Sequence, residues 1–110
     1  MIFLSVSTKF EGQQMLYPFE QFNVDISCLG NHELDMGIEH GQNLIEQTSC
    51  PWIMTNLLEK DKDMKPIADM EPWQVQEHQG FKIGFADLQN SRFKAWHMSL
   101  KNRSKFEAVS

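Results

Sequence analysis

The chain has 110 residues, 41% of them hydrophobic and 23% charged, with a formal net charge of −5. That length supports one domain or part of one around a modest core, and no apolar run approaches the about 20 residues needed to span a bilayer. Through Gln89, 14 acidic residues face 5 Lys+Arg, a balance that argues against non-specific nucleic-acid binding, which depends on neutralising phosphates with basic side chains.

In chain order, residues 9–22 predict a helix whose apolar face uses Met15, Phe19 and Phe22. Thr8 is its expected N-cap and Glu11 the capping-box partner, and Pro18 is expected to kink the helix or end it early. Val24 to Leu29 alternates with period two and predicts a strand, with Val24, Ile26 and Cys28 on one face. Gly30 ends it. A second helix is expected from about Ile38 to Gln47, with Ile38, Gly41 and Leu44/Ile45 on one stripe. Pro51 closes that segment, and Trp52 to Thr55 predicts a short buried strand. Two strands separated by a helix form a βαβ-like unit, so a parallel pair is the default.

Residues 57–72 carry the charge-mixed run Glu59 to Pro66 without an apolar period and read as a surface connection. Trp73 to His78 and Phe81 to Ala86 alternate around Gln79-Gly80, a β-hairpin signal because glycine supplies the positive φ of a primed turn. After Leu88 the pattern dissolves. Residues 97–110 read as a basic, disordered tail, since Arg92, Lys94, Lys101, Arg103 and Lys105 face only Glu107 beyond Asn90. Cys28 and Cys50 are expected to be buried free thiols, with no paired-cysteine spacing to suggest zinc. The N-terminus has no basic segment of the kind that opens a secretory signal, which leaves a cytoplasmic location as the default.

The sharpest chemistry lies in Gly30-Asn31-His32-Glu33-Leu34-Asp35, a loop at the carboxyl end of the first strand, where open α/β folds place their sites. It combines an amide oxygen suited to a hard metal ion, an imidazole and a carboxylate three residues further on. The bland readings are a turn asparagine beside glycine and a carboxylate favoured by a helix start. His40 and His78 read as exposed residues, and His97 lies in an unmatched context. The tryptophans Trp52, Trp73 and Trp96 read as core or as formerly covered surface.

With its flanks, the loop resembles the calcineurin-like metallophosphoesterases, in the 5'-nucleotidase branch. The matching segments are Thr8-Lys9 with Gly12 to Met15, Val24-Asp25, Gly30 to Asp35, Pro51 to Asn56 and Gly80 to Gly84. The resemblance covers residues 8 to about 96 and implies part of a four-layer α/β/β/α sandwich, so 1–96 is expected to be a partial domain of that kind. It implies that Asn31 ligates one of two divalent metal ions (Mn, Zn, Fe or Mg), that His32 contacts the phosphate, and that Asp35 orients His32. Glu33 belongs to the motif without ligating metal. Such ion pairs, about 3.5–4 Å apart, clamp a phosphate and generate the attacking water, while an imidazolium meets developing charge on the leaving oxygen. The implied substrate is a phosphate monoester such as a nucleotide.

The chain departs from that pattern at several points. It contains no Asp-X-His, no Gly-Asp and no Gly-His-X-His sequence, and Asn31 alone does not satisfy two metals that each need several donors. The expectation is an internal fragment without phosphatase activity of its own. Its uncovered apolar surface is expected to favour self-association. The alternatives are a non-catalytic interaction module and a truncated gene product.

Overall fold

A computed structural model of the chain describes residues 9–30, 32–90 and 106–109. The first helical segment is interrupted rather than continuous. Glu11 and Gly12 take left-handed φ values of 54° and 86°, a 3-10 turn follows at Gln13–Met15, and helix α1 spans Leu16–Gln21. Pro18 is the third residue of α1, where a backbone N–H has no intrahelical partner to lose, so the break falls at Glu11-Gly12 instead. His40 holds that break in place, its Nε2–H donating to the Glu11 carbonyl at 2.6 Å. The expected cap Thr8 lies outside the described residues. Of the expected apolar face, Phe19 stacks on Trp52 with ring centroids 5.7 Å apart, whereas Phe22 is 78% exposed.

Strand β1 (Ser27–Cys28) and strand β2 (Trp52–Ile53) run parallel, with Ser27 opposite Trp52 and Cys28 opposite Ile53. Helix α2 (Ile38–Glu46) joins them and buries Gly41 and Leu44. This is the expected βαβ-like unit. Its ladder is shorter than the alternating runs because the partners change along the chain. Beyond Ile53, Met54 N–H donates to the Glu71 carbonyl and Thr55 N–H to the Asp87 carbonyl, both at 2.9 Å. Extended backbone continues, but its bonds go to the two ends of the hairpin.

Residues 57–72 are not a surface connection. Strand β3 (Leu57–Glu59) pairs antiparallel with β4 (Lys65–Pro66), and a tight 3-10 turn follows at Ile67–Asp69. Leu57, Ile67, Ala68 and Met70 join Leu29, Leu34, Cys50, Trp52 and Met54 in the core. The charged run is only the turn between β3 and β4, and its one buried charge, Glu59, is met by Lys62 Nζ at 3.2 Å. A count of charges across the segment hides the apolar residues at its two ends.

Strands β5 (Trp73–His78) and β6 (Phe81–Ala86) form the hairpin in full register, from Trp73 opposite Ala86 to His78 opposite Phe81. Gln79 (φ 50°) and Gly80 (φ 81°) make the primed turn. Its apolar residues are open to solvent, Trp73 at 62% and Phe81 at 73%. Within the stretch expected as a tail, of which only 106–109 are described, Phe106–Ala108 form strand β7 antiparallel to β3. A free edge of β3 offers unpaired backbone groups, and Asn56 extends the pairing by accepting Val109 N–H at 2.9 Å. Of the thiols, Cys50 is buried as expected and Cys28 is exposed, and both are free. No helix among the described residues is long and apolar enough to cross a membrane.

Candidate functional site

The loop after β1 is built by two close approaches of backbone. Its later half packs on α2: a Cβ placed on Gly41 would lie 2.8 Å from the Glu33 carbonyl oxygen. No larger residue fits that crossing without moving the loop. Its first half packs on its own glutamate: a Cβ on Gly30 would lie 2.6 Å from Glu33 Oε2. Glu33 is buried, with 7% of its surface accessible, and Leu34 beside it is in the core. Turn hydrogen bonds from Asp35 N–H to the His32 carbonyl (3.2 Å) and from Gly37 N–H to the Leu34 carbonyl (3.0 Å) then lead into α2. Asp35 therefore sits in the turn before the helix, and Gly37 is the N-cap.

This geometry brings two of the three expected site residues together. His32 Nδ1 lies 2.7 Å from Asp35 Oδ2, both side chains being partly exposed. An ionised carboxylate only accepts, so Nδ1 carries the proton in this pair. A carboxylate on Nδ1 fixes the orientation of the ring. Asn31, the expected metal ligand, lies outside the described residues. Among the described residues, no three or more His, Cys, Asp or Glu side chains are grouped to hold a metal ion.

A second set of residues converges on the start of the loop. Asp87 Oδ2 accepts Leu29 N–H at 3.2 Å, and Gln89 Nε2–H donates to the Leu29 carbonyl at 2.6 Å. Both backbone groups of the residue before Gly30 are thus paired by side chains standing where a neighbouring strand would. These side chains are themselves fixed. Thr55 Oγ1 accepts Asp87 N–H at 3.0 Å, and the Asn56 amide brackets Gln89, accepting its N–H at 2.7 Å and donating to its carbonyl at 2.9 Å. Partial burial pushes the Asp87 carboxyl above the usual range, opposed by its bonds from Gln89 and Leu29. Burial, with the Asp87 charge, also raises the Cys28 thiol. Asp87, Gln89 and the roles of Thr55-Asn56 were not expected from sequence. The available signal was position: polar residues directly following apolar strands, as at Gly30 to Asp35.

A parallel β1–β2 pair, an intervening helix, a hairpin and a polar cluster at the strand ends make an α/β fragment that matches part of a 5'-nucleotidase-like fold. Among solved structures, the chain superposes on a Staphylococcus aureus protein provisionally named a 5'-nucleotidase with a TM-score of 0.75 and 15% identity. That match covers 96% of this chain and 20% of the other. It superposes on the NAD nucleotidase of Haemophilus influenzae with a TM-score of 0.70 and 23% identity, over 94% of this chain and 18% of the other. The chain spans about a fifth of the length of these structures. No protein-family model matches the sequence, and no curated protein does.

Proposed function

We propose that the chain carries the acid-side corner of a metal-dependent phosphoesterase site of the 5'-nucleotidase type. The observation that carries this reading is the 2.7 Å His32–Asp35 pair on the loop leaving β1. His32 meets a phosphate oxygen through Nε2 and supplies a proton to the leaving oxygen, and Asp35 holds the ring in the tautomer this requires. In an intact domain of the kind the resemblance implies, Asn31 is a ligand to one of two divalent ions and the substrate is a nucleotide or similar monoester. Because the sequence has no Asp-X-His, Gly-Asp or Gly-His-X-His motif to complete the donor set for such ions, the chain alone is proposed not to turn over phosphate esters.

The test has two arms. Purified chain with AMP or p-nitrophenyl phosphate and Mn²⁺ is expected to release no phosphate above the blank. Turnover abolished by Asn31→Ala would overturn the inactivity. Titration with inorganic phosphate, followed by NMR of the imidazole resonances, is expected to move His32 ahead of His40 and His78, and Asp35→Asn is expected to weaken that response. Equal movement of the three histidines refutes the phosphate role.

A second reading, an interaction module, is favoured by the solvent-facing Trp73, Val75, Phe81 and Ile83 of the hairpin. It predicts association that rises with concentration, is indifferent to Mn²⁺ and is weakened by Phe81→Ser in sedimentation. A monomer at all concentrations removes it.

A further inference from the structure

We infer that Asp87 and Gln89 are positioning residues for His32, acting through both backbone groups of Leu29. The loop 30–37 has two fixed ends. Its far end is set by the core: Leu34 is buried, the Glu33 carbonyl lies against Gly41, and Gly37 accepts the first helical bond from Gly41 N–H at 3.0 Å. Its near end is Leu29, where the β1–β2 ladder has already stopped at Cys28 and Ile53. There, among the described residues, the backbone is held in register by Asp87 (3.2 Å to N–H) and Gln89 (2.6 Å from Nε2 to the carbonyl oxygen). The two side chains act as one unit, since Gln89 Nε2 also faces Asp87 Oδ1 at 3.4 Å.

Their own placement comes from a different part of the chain. Thr55 and Asn56 grip the backbone of Asp87 and Gln89 just beyond β6. The end of β2 therefore ties the hairpin's exit to the start of the loop, and the position of the His32 ring relative to Asp35 depends on that tie. Glu33 lies close by, its buried carboxylate set where a Cβ on Gly30 would fall 2.6 Å from Oε2.

This inference deepens the acid role proposed for His32 and rests on it for its catalytic meaning, but its test needs no turnover. In the 110-residue chain, amide hydrogen exchange of Leu29 and the ring ¹⁵N shifts of neutral His32 are compared among parent, Asp87→Ala, Asp87→Asn and Gln89→Leu. In parent the Nδ1–H tautomer is expected to dominate. Asp87→Ala is expected to speed Leu29 exchange by up to about tenfold, the loss of one hydrogen bond. Both Asp87→Ala and Gln89→Leu are expected to shift His32 toward the Nε2–H tautomer, with the Ile45 and Ile53 amides unchanged. Asp87→Asn keeps an oxygen for Leu29 N–H and is expected to restore the parent tautomer. Leu29 released with the tautomer unmoved overturns the inference, as does equal loss of protection at Ile45 and Ile53, which makes the pair a support of the whole fold. Failure of His32 to respond to phosphate, with the tautomer still tied to Asp87, refutes the phosphoesterase role and leaves the positioning intact.

Discussion

Replacing Gly41 by alanine sets a known gain against a contact fixed by the structure. In a helix interior, Gly→Ala contributes about 0.8–1.0 kcal/mol through backbone entropy and propensity. At Gly41 the new methyl would sit 2.8 Å from the Glu33 carbonyl oxygen and 3.1 Å from Leu34 Cδ2. The first of these is backbone and the second is in the core, so neither yields by a simple rotamer change. Forcing atoms into a packed site costs about 1–3 kcal/mol. The net is a destabilisation of up to about 2 kcal/mol, which at about 4–8 °C per kcal/mol lowers the melting temperature by several degrees. Gly84→Ala is the control, because a methyl there meets nothing within 4 Å. With no clash to oppose it, relief of the strand-glycine penalty of about 0.5–1 kcal/mol should leave that variant level with the parent or above it. Thermal melts by circular dichroism separate the two, and Gly41→Ala melting above the parent refutes the close approach of α2 to the loop.

The indole N–H of buried Trp52 donates to Thr48 Oγ1 at 2.8 Å. Thr48→Val keeps the shape and removes the acceptor, so it should cost about 1–3 kcal/mol in urea unfolding; an unchanged midpoint would remove that bond from the stability argument. Asp87 gives a pH signature of defined sign. Burial raises its carboxyl in the folded chain, so the folded state binds that proton more tightly than the unfolded one. Its favourable contribution is complete below the ordinary carboxylate range and is lost as pH rises through the raised value. The stability of parent relative to Asp87→Asn should therefore decline from acid to neutral pH in urea melts, and a rise over the same range contradicts it.

What could be read from the sequence follows from how local each determinant is. Gln79-Gly80 between two alternating runs specifies its turn by backbone chemistry alone, and the hairpin forms with the expected residues. Helix α2 is equally local, its stripe of Ile38, Gly41 and Leu44 being visible within about two turns. The His32–Asp35 pair is legible because its members are three positions apart and the turn between them closes on itself. The elements that differ are those whose partners lie far away in sequence. Leu57, Ile67 and Met70 are core only because β3 and β4 fold back over Trp52 and Met54. Phe106–Ala108 are a strand only because β3 has a free edge.

The same distinction separates the two halves of the candidate site. His32 and Asp35 belong to one loop, but Leu29 is held by Asp87 and Gln89, 58 and 60 residues away in sequence. Nothing in the local pattern of Phe85 to Asn90 marks those side chains as partners of Leu29. Their role arises when the ends of β1, β2 and β6 are brought to one place, with Thr55 and Asn56 as the join. A loop's chemistry can therefore be read from its own residues, whereas its geometry depends on what holds the residue before it. On this structure, substitutions at Asp87 or Gln89 should act on the imidazole without touching it, and substitutions at Asp35 should act by direct contact. The distinction is measurable, because loss of Asp35 removes the partner of Nδ1 whatever the state of Leu29, while loss of Asp87 changes the tautomer only as Leu29 is released.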